Sequence, residues 1–293
     1  MLGEILTAIV TPFNHDGSVD VGRFRQLASY LVDNGSDGVV VSGTTGEGPT
    51  LTDDERFELY AAAVDAVGGR ATVVAGTGTY STAHSIHLTE QAAALGVDAF
   101  LVVTPYYNKP PQRGIVEHFR AIAAVTDRPI VVYNIPGRCV INIESRTMAT
   151  LAEIPNVTAV KQANPDLEQA RAIVELGLDL YAGDDDLVLP FLELGGAGGV
   201  CVHTHVVGPQ VRELVRLFRT GDVEGARALD DRLRPSIELL RVAPNPIAIK
   251  CALALLGHEV GGLRLPLVEA DDDEQEQVRD CLARLGLLAP AAA

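Results

Sequence analysis

Asp37-Gly38-Val39-Val40-Val41-Ser42 leads into Gly43-Thr44-Thr45-Gly46-Glu47-Gly48 and then into Thr52-Asp53-Asp54-Glu55, and these three stretches carry the fold in miniature. The first is short, β-branched and almost continuously apolar, the pattern of a strand buried on both faces of a parallel sheet. The second is a glycine-rich turn. The third reads as a capping box, with Thr52 at the N-cap and Glu55 reaching back to it. Phe57, Tyr60, Ala61 and Val64 follow at i, i+3, i+4 and i+7, the apolar stripe of an amphipathic helix. Strand, turn and helix make one βα unit.

The unit recurs along the chain. Short apolar runs lie at 5–11, 37–42, 71–76, 99–104, 129–133, 157–161, 178–182 and 198–202, and helical stripes fall near 81–95, 114–125, 166–175 and 209–218. Eight βα units within about 220 residues predict an α/β fold of the (β/α)8 TIM-barrel type. A doubly wound open sheet is the second choice. It calls for a glycine-rich phosphate turn after the first strand, where this chain has Thr11-Pro12-Phe13. Beyond residue 220 the pattern changes to three helices, at 222–240, 245–256 and 273–287. The reading is therefore a catalytic barrel over 1–220 and a small C-terminal helical region over 221–293, ending in a frayed tail from Ala289.

Composition narrows the function. Lys and Arg number 23 against 39 Asp and Glu, a net charge of −16, which repels phosphate backbones and anionic lipid and argues against nucleic-acid and membrane partners. Tryptophan is absent and aromatics make up 5%, so the core must be aliphatic. The N-terminal residues lack the basic and long apolar regions of a signal peptide, and no apolar stretch is long enough to span a bilayer. Cys139, Cys201, Cys251 and Cys281 are widely spaced and form no C-x-x-C pair, so they read as free thiols of a cytoplasmic protein.

In a TIM barrel the chemistry sits at the C-terminal ends of the strands. Here those ends offer Gly43–Gly48, Thr104-Pro105-Tyr106-Tyr107-Asn108, Tyr133 with Asn134-Ile135-Pro136-Gly137-Arg138, and Lys161. Lys161 closes an apolar strand, where desolvation lowers an amine's pKa and frees it to attack a carbonyl. On position alone it also reads, and more commonly, as a lysine that snorkels to a carboxylate. Tyr133 reads either as a proton relay or as a core phenol tied to a backbone carbonyl. Thr44 and Thr45 read either as an anion-binding nest or as a turn that needs glycine. Their shared place at one barrel mouth raises the functional reading of each.

Taken in order, Gly43-Thr44-Thr45-Gly46-Glu47, Tyr106-Tyr107, Tyr133-x-x-Pro136-Gly137-Arg138, Lys161, Asn245-Pro246-Ile247-x-x-Lys250 and Leu263-Arg264-Leu265-Pro266 resemble the dihydrodipicolinate synthase family of class I pyruvate aldolases. The resemblance covers nearly the whole chain. It implies a lysine Schiff base between Lys161 and pyruvate, with aspartate semialdehyde as second substrate and no cofactor or metal. It implies that Tyr133 shuttles protons and that Thr44 and Tyr107 complete a hydroxyl relay, Tyr107 coming from a neighbouring subunit of a homotetramer, a dimer of dimers. Thr45 would hold the pyruvate carboxylate, Val200 would line its site through the backbone, and Arg138 would bind the carboxylate of the second substrate. Another pyruvate aldolase on the same scaffold, or a barrel that only binds a small carboxylate, are the rival readings.

The chain departs from the family pattern at Gln162, where a carboxylate is common, at Cys139-Val140, and at Cys201-Val202-His203-Thr204-His205. His203-x-His205 at strand spacing would share a face. With no further ligand apparent, the pair reads as structural or pocket-lining. Gly195–Gly199 precedes its strand, Gly76-Thr77-Gly78 lacks a third glycine, and the acidic run at 269–276 lacks EF-hand spacing, so none is read as a binding site. The resemblance also bears on feedback by free lysine near Tyr106. Arg56 would repel the effector's ammonium, and the acidic partner expected near His84 is absent from that position, so weak or no inhibition is predicted unless Asp53 takes over.

Overall fold

The structure is a computed structural model that describes residues 1–289. The eight apolar runs form β1 (Ile5–Ala8), β2 (Gly38–Val41), β3 (Thr72–Gly76), β4 (Ala99–Val103), β5 (Ile130–Asn134), β6 (Val157–Gln162), β7 (Asp179–Ala182) and β8 (Gly198–Cys201). All pair in parallel with their sequence neighbours, and β8 returns to β1 with Leu6 opposite Val200, closing the barrel. Val39, Val73, Val102, Val132 and Val160 are fully buried along these strands, the aliphatic core that the composition requires.

Helices α1 (Val21–Asp33), α2 (Asp53–Val67), α3 (Thr82–Ala94), α4 (Gln112–Ala123), α5 (Pro136–Cys139), α6 (Ser145–Ala152), α7 (Leu167–Glu175) and α8 (Val188–Glu193) alternate with the strands. Then come α9 (Thr204–Arg219), α10 (Val223–Arg241), α11 (Ile247–Leu255) and α12 (Asp272–Arg284). The capping box of α2 is formed in both directions, and Asp271 with Glu274 makes a second at α12. A short turn separates α9 from α10, and α10 packs along α9 and α12. Of the tail expected to fray, residues 290–293 lie outside the described residues. Among the described residues no helix is long and apolar enough to cross a membrane.

Three differences from the expected pattern bear on the site. The first apolar run is strand only to Ala8; its continuation crosses the mouth, where Thr11 Oγ1 donates to the Gly46 carbonyl at 2.7 Å. Strands β5 and β6 run one residue further than their apolar pattern, because the amides of Asn134 and Gln162 bond each other at 3.0 Å. Helix α9 begins at Thr204, not Pro209, which lies inside the helix just beyond a kink at Val207.

Candidate active site

The barrel places Tyr133 and Lys161 opposite each other across β5 and β6. The Lys161 Nζ stands 4.4 Å from the centroid of the Tyr133 ring. Lys161 is 5% exposed, and among the described residues no carboxylate lies within ion-pair distance of its amine. Burial lowers its pKa to about 8, against the pull of Asp185 and Asp184. An amine held this way keeps a useful neutral fraction near pH 7. Burial pushes the Tyr133 phenol well above its ordinary range, while a hydrogen bond with Thr44 works in the opposite direction. One residue further along the same strands, and on their opposite face, Asn134 donates to Gln162, Gln162 donates to Gln169 at 2.7 Å, and Gln169 donates to the Ile143 carbonyl at 2.8 Å. This neutral amide ladder joins the strand ends without adding charge beside Lys161.

The turn after β2 brings Thr44 and Thr45 to the same mouth. Its tight course requires glycine at 48, where a Cβ would fall 2.4 Å from the Ser42 carbonyl oxygen. Thr45 is buried, and its hydroxyl accepts from Asn245 Nδ2 at 3.0 Å. Glu47, at φ 53°, closes the turn. Its carboxylate meets Lys250 Nζ at 2.7 Å and accepts from the Arg264 backbone N–H at 3.0 Å, with both charged side chains buried. The C-terminal region is thereby locked to the turn that presents Thr44 and Thr45. Sequence reasoning quoted Asn245, Lys250 and Glu47 as motif residues and gave them no role, because the pairings span some two hundred residues of chain.

Arg138, on the short helix α5 after β5, is exposed and lines a cavity of about 230 Å3 with Thr44, Tyr106, Tyr133 and Cys139. Val200 lies buried on β8. Tyr107 does not line this cavity: it sits at φ 65° with its side chain 90% exposed.

Three readings need correction. Arg56 does not offer its charge to solvent; it is buried and donates to the carbonyls of Gly48 and Gly76. His84 is not without an acid, since its Nε2 lies 2.9 Å from Asp53. His203 and His205 do not share a strand face either, because β8 ends at Cys201. His205 accepts from the Val10 N–H at 3.2 Å and faces the Val202 carbonyl at 2.7 Å, and burial lowers its pKa to about 4. What sequence reasoning missed near Lys161 is the pair Asp184 and Asp185. The signal was available, since Gly183-Asp184-Asp185-Asp186 follows β7 at the same end of the barrel.

A profile of the dihydrodipicolinate synthetase family matches residues 1–285. The 4-hydroxy-tetrahydrodipicolinate synthase of Moorella thermoacetica is 50% identical over 289 residues, covering 98% of this chain and 99% of that protein. The protein of the same name from Desulforudis audaxviator is 48% identical, covering 98% of both. Among solved structures, the DHDPS of Cyanidioschyzon merolae with lysine bound aligns with a TM-score of 0.96 at 45% identity, over 98% of this chain and 99% of that one.

Proposed function

The chain belongs to the dihydrodipicolinate synthetase family, and we propose that Lys161 is the amine through which its reaction runs. The enzyme is a lyase that condenses pyruvate with L-aspartate 4-semialdehyde to 4-hydroxy-tetrahydrodipicolinate, in lysine and diaminopimelate biosynthesis. The observation that carries the role of Lys161 is its burial at the end of β6, free of any carboxylate partner among the described residues and stacked over Tyr133.

The neutral Nζ attacks the pyruvate ketone, and loss of water gives the protonated imine. That imine is the electron sink, so a C3 proton leaves to form an enamine without a cofactor. The enamine carbon bonds to the aldehyde carbon of the second substrate, whose oxygen takes a proton. The substrate's own amine then attacks the imine carbon, closing the ring and releasing Lys161. Tyr133 and Thr44 move protons in these steps, and Tyr107 extends their relay. Thr45 holds the pyruvate carboxylate, and Val200 lines the pyruvate site through its backbone. Arg138 grips the carboxylate of aspartate semialdehyde with its planar fork.

The exposure of the Tyr107 side chain supports an assembly in which it enters the mouth of a partner subunit. We take that assembly to be a homotetramer, a dimer of dimers, working in the cytoplasm. Steady-state turnover with pyruvate and aspartate semialdehyde tests the whole reading. Activity with pyruvate and a sugar aldehyde, and none with aspartate semialdehyde, would contradict it.

A further inference from the structure

At the end of β8, Asp185, Cys201 and His203 converge, with their ligand atoms all within 4.8 Å of one another. We propose that these three side chains form a binding site for a soft divalent cation of the zinc class, clamping the end of β8 to the turn after β7.

The argument begins with His203. The ring is 4% exposed, and its Nδ1 lies 3.2 Å from the Ser236 hydroxyl. That hydroxyl donates its own hydrogen to the Leu233 carbonyl at 2.7 Å, so it accepts from Nδ1–H. The other nitrogen, Nε2, therefore carries a bare lone pair. It is buried with no hydrogen-bond partner, and it points at Asp185 Oδ1 from 3.4 Å. Two acceptors face each other here at a separation too long for a good N–H···O hydrogen bond. Asp185 is held in place, since the same oxygen accepts from the backbone N–H groups of Val202 and His203 at 2.7 and 2.8 Å. Its Oδ2 accepts no hydrogen bond among the described residues. A buried lone pair beside a buried carboxylate and a thiol is an arrangement that a cation completes.

The chemistry fits a borderline-soft ion. Ligands at about 2.0–2.3 Å from a tetrahedral zinc lie about 3–4 Å from each other, and the His203–Asp185 separation is already in that range. Imidazole, thiolate and carboxylate are all zinc ligands, and the hydrogen bond from Nδ1–H to Ser236 is the support that fixes a metal-bound histidine's tautomer. On binding, the Cys201 thiol gives up one proton to solvent while His203 enters neutral and Asp185 anionic. A divalent ion with two anionic ligands leaves the buried site without net charge, the condition under which burial is least costly. A fourth position is left for water. The site joins β7, β8 and, through Ser236, α10, and none of its three ligands is assigned to the reaction.

Cobalt(II), titrated into the reduced full-length enzyme after dialysis against a chelator, tests this directly. One ion per chain should give a thiolate-to-cobalt charge-transfer band and release one proton, and zinc should displace it. Zinc should also raise the thermal midpoint. Cys201→Ser should abolish the band, His203→Gln should weaken binding by at least about 100-fold, and Ser236→Ala by about 10-fold, the usual range for a supporting residue. Cys281→Ser, which is not part of the cluster, should leave cobalt binding unchanged. Absence of the band, or its survival in Cys201→Ser, overturns the proposal, as does binding that is equal in wild type and His203→Gln. Should Cys201→Ser fail to fold, His203→Gln and Ser236→Ala decide by the same titration.

Discussion

Two regions of this protein each bury a lysine over an aromatic ring. At the barrel mouth, the Lys161 amine is 4.4 Å from the Tyr133 centroid; at the C-terminal region, the Lys250 amine is 4.3 Å from that of Phe13. Their exposures, 5% and 2%, are nearly equal. They differ in their partners. Lys250 donates to Glu47 and to the Gly262 carbonyl, both at 2.7 Å, whereas Lys161 has no carboxylate in reach among the described residues. A buried charge needs compensation, and at Lys250 a buried carboxylate opposes the downward pull of burial on the amine's pKa and holds it as a structural cation. Where it is withheld, the cost of desolvation is turned into nucleophilicity, because the same burial that disfavours the ammonium exposes a lone pair. Burial and cation–π contact alone do not distinguish the two roles; the carboxylate does.

The largest expected effect separates the two lysines by activity. Lys161→Met should lower turnover by at least ~10^4-fold, the scale seen when a covalent nucleophile is removed, while leaving denaturant stability unchanged or raised. A substantial residual activity would break the comparison. Lys250→Met should do the reverse. It strands the Glu47 carboxylate and should cost about 3–5 kcal/mol in equilibrium unfolding, with pyruvate still trapped on the fraction that remains folded. Next in size is Arg138→Ala, which should cost about 1.5–3 kcal/mol in kcat/KM for aspartate semialdehyde and leave imine formation with pyruvate intact. Equal damage to both steps would place Arg138 in the pyruvate site instead.

The smallest effect concerns free lysine, whose ammonium needs the kind of partner that Glu47 gives Lys250. Near Tyr106 the available carboxylate, Asp53, is already paired with His84, and the Arg56 guanidinium beside it is turned into backbone carbonyls. Millimolar lysine should therefore change turnover little. Strong partial inhibition in the coupled assay would show that Asp53 leaves His84 for the effector.

The difference between the two lysines also marks what the sequence reveals. Lys161 is legible because its signal is local: an apolar strand ending in an amine, opposite another strand ending in Tyr133, within a repeat whose period announces a barrel. The partnership of Lys250 with Glu47 is not legible, since no periodicity links residues so far apart. The same limit hid the Asn245 contact with Thr45. The error at His203 and His205 had a different origin. Strand spacing was extended past Cys201, where the chain turns into α9 and sends the second ring to Val10. Arg56 was misread because a helix position gives no warning that a guanidinium will fold inward onto the carbonyls of Gly48 and Gly76.

Lysine occurs three times in the chain, at 109, 161 and 250, so the site of imine formation can be read without ambiguity. The most direct measurement is borohydride reduction in the presence of pyruvate, followed by peptide mass mapping across a pH series. A reduced pyruvyl adduct should appear on Lys161. Since burial brings that amine's pKa to about 8, the trapping rate should rise roughly tenfold per unit well below pH 8 and level off above it. An adduct on exposed Lys109 or on Lys250, or a rate still climbing towards pH 10.5 as for an unperturbed amine, would contradict the account.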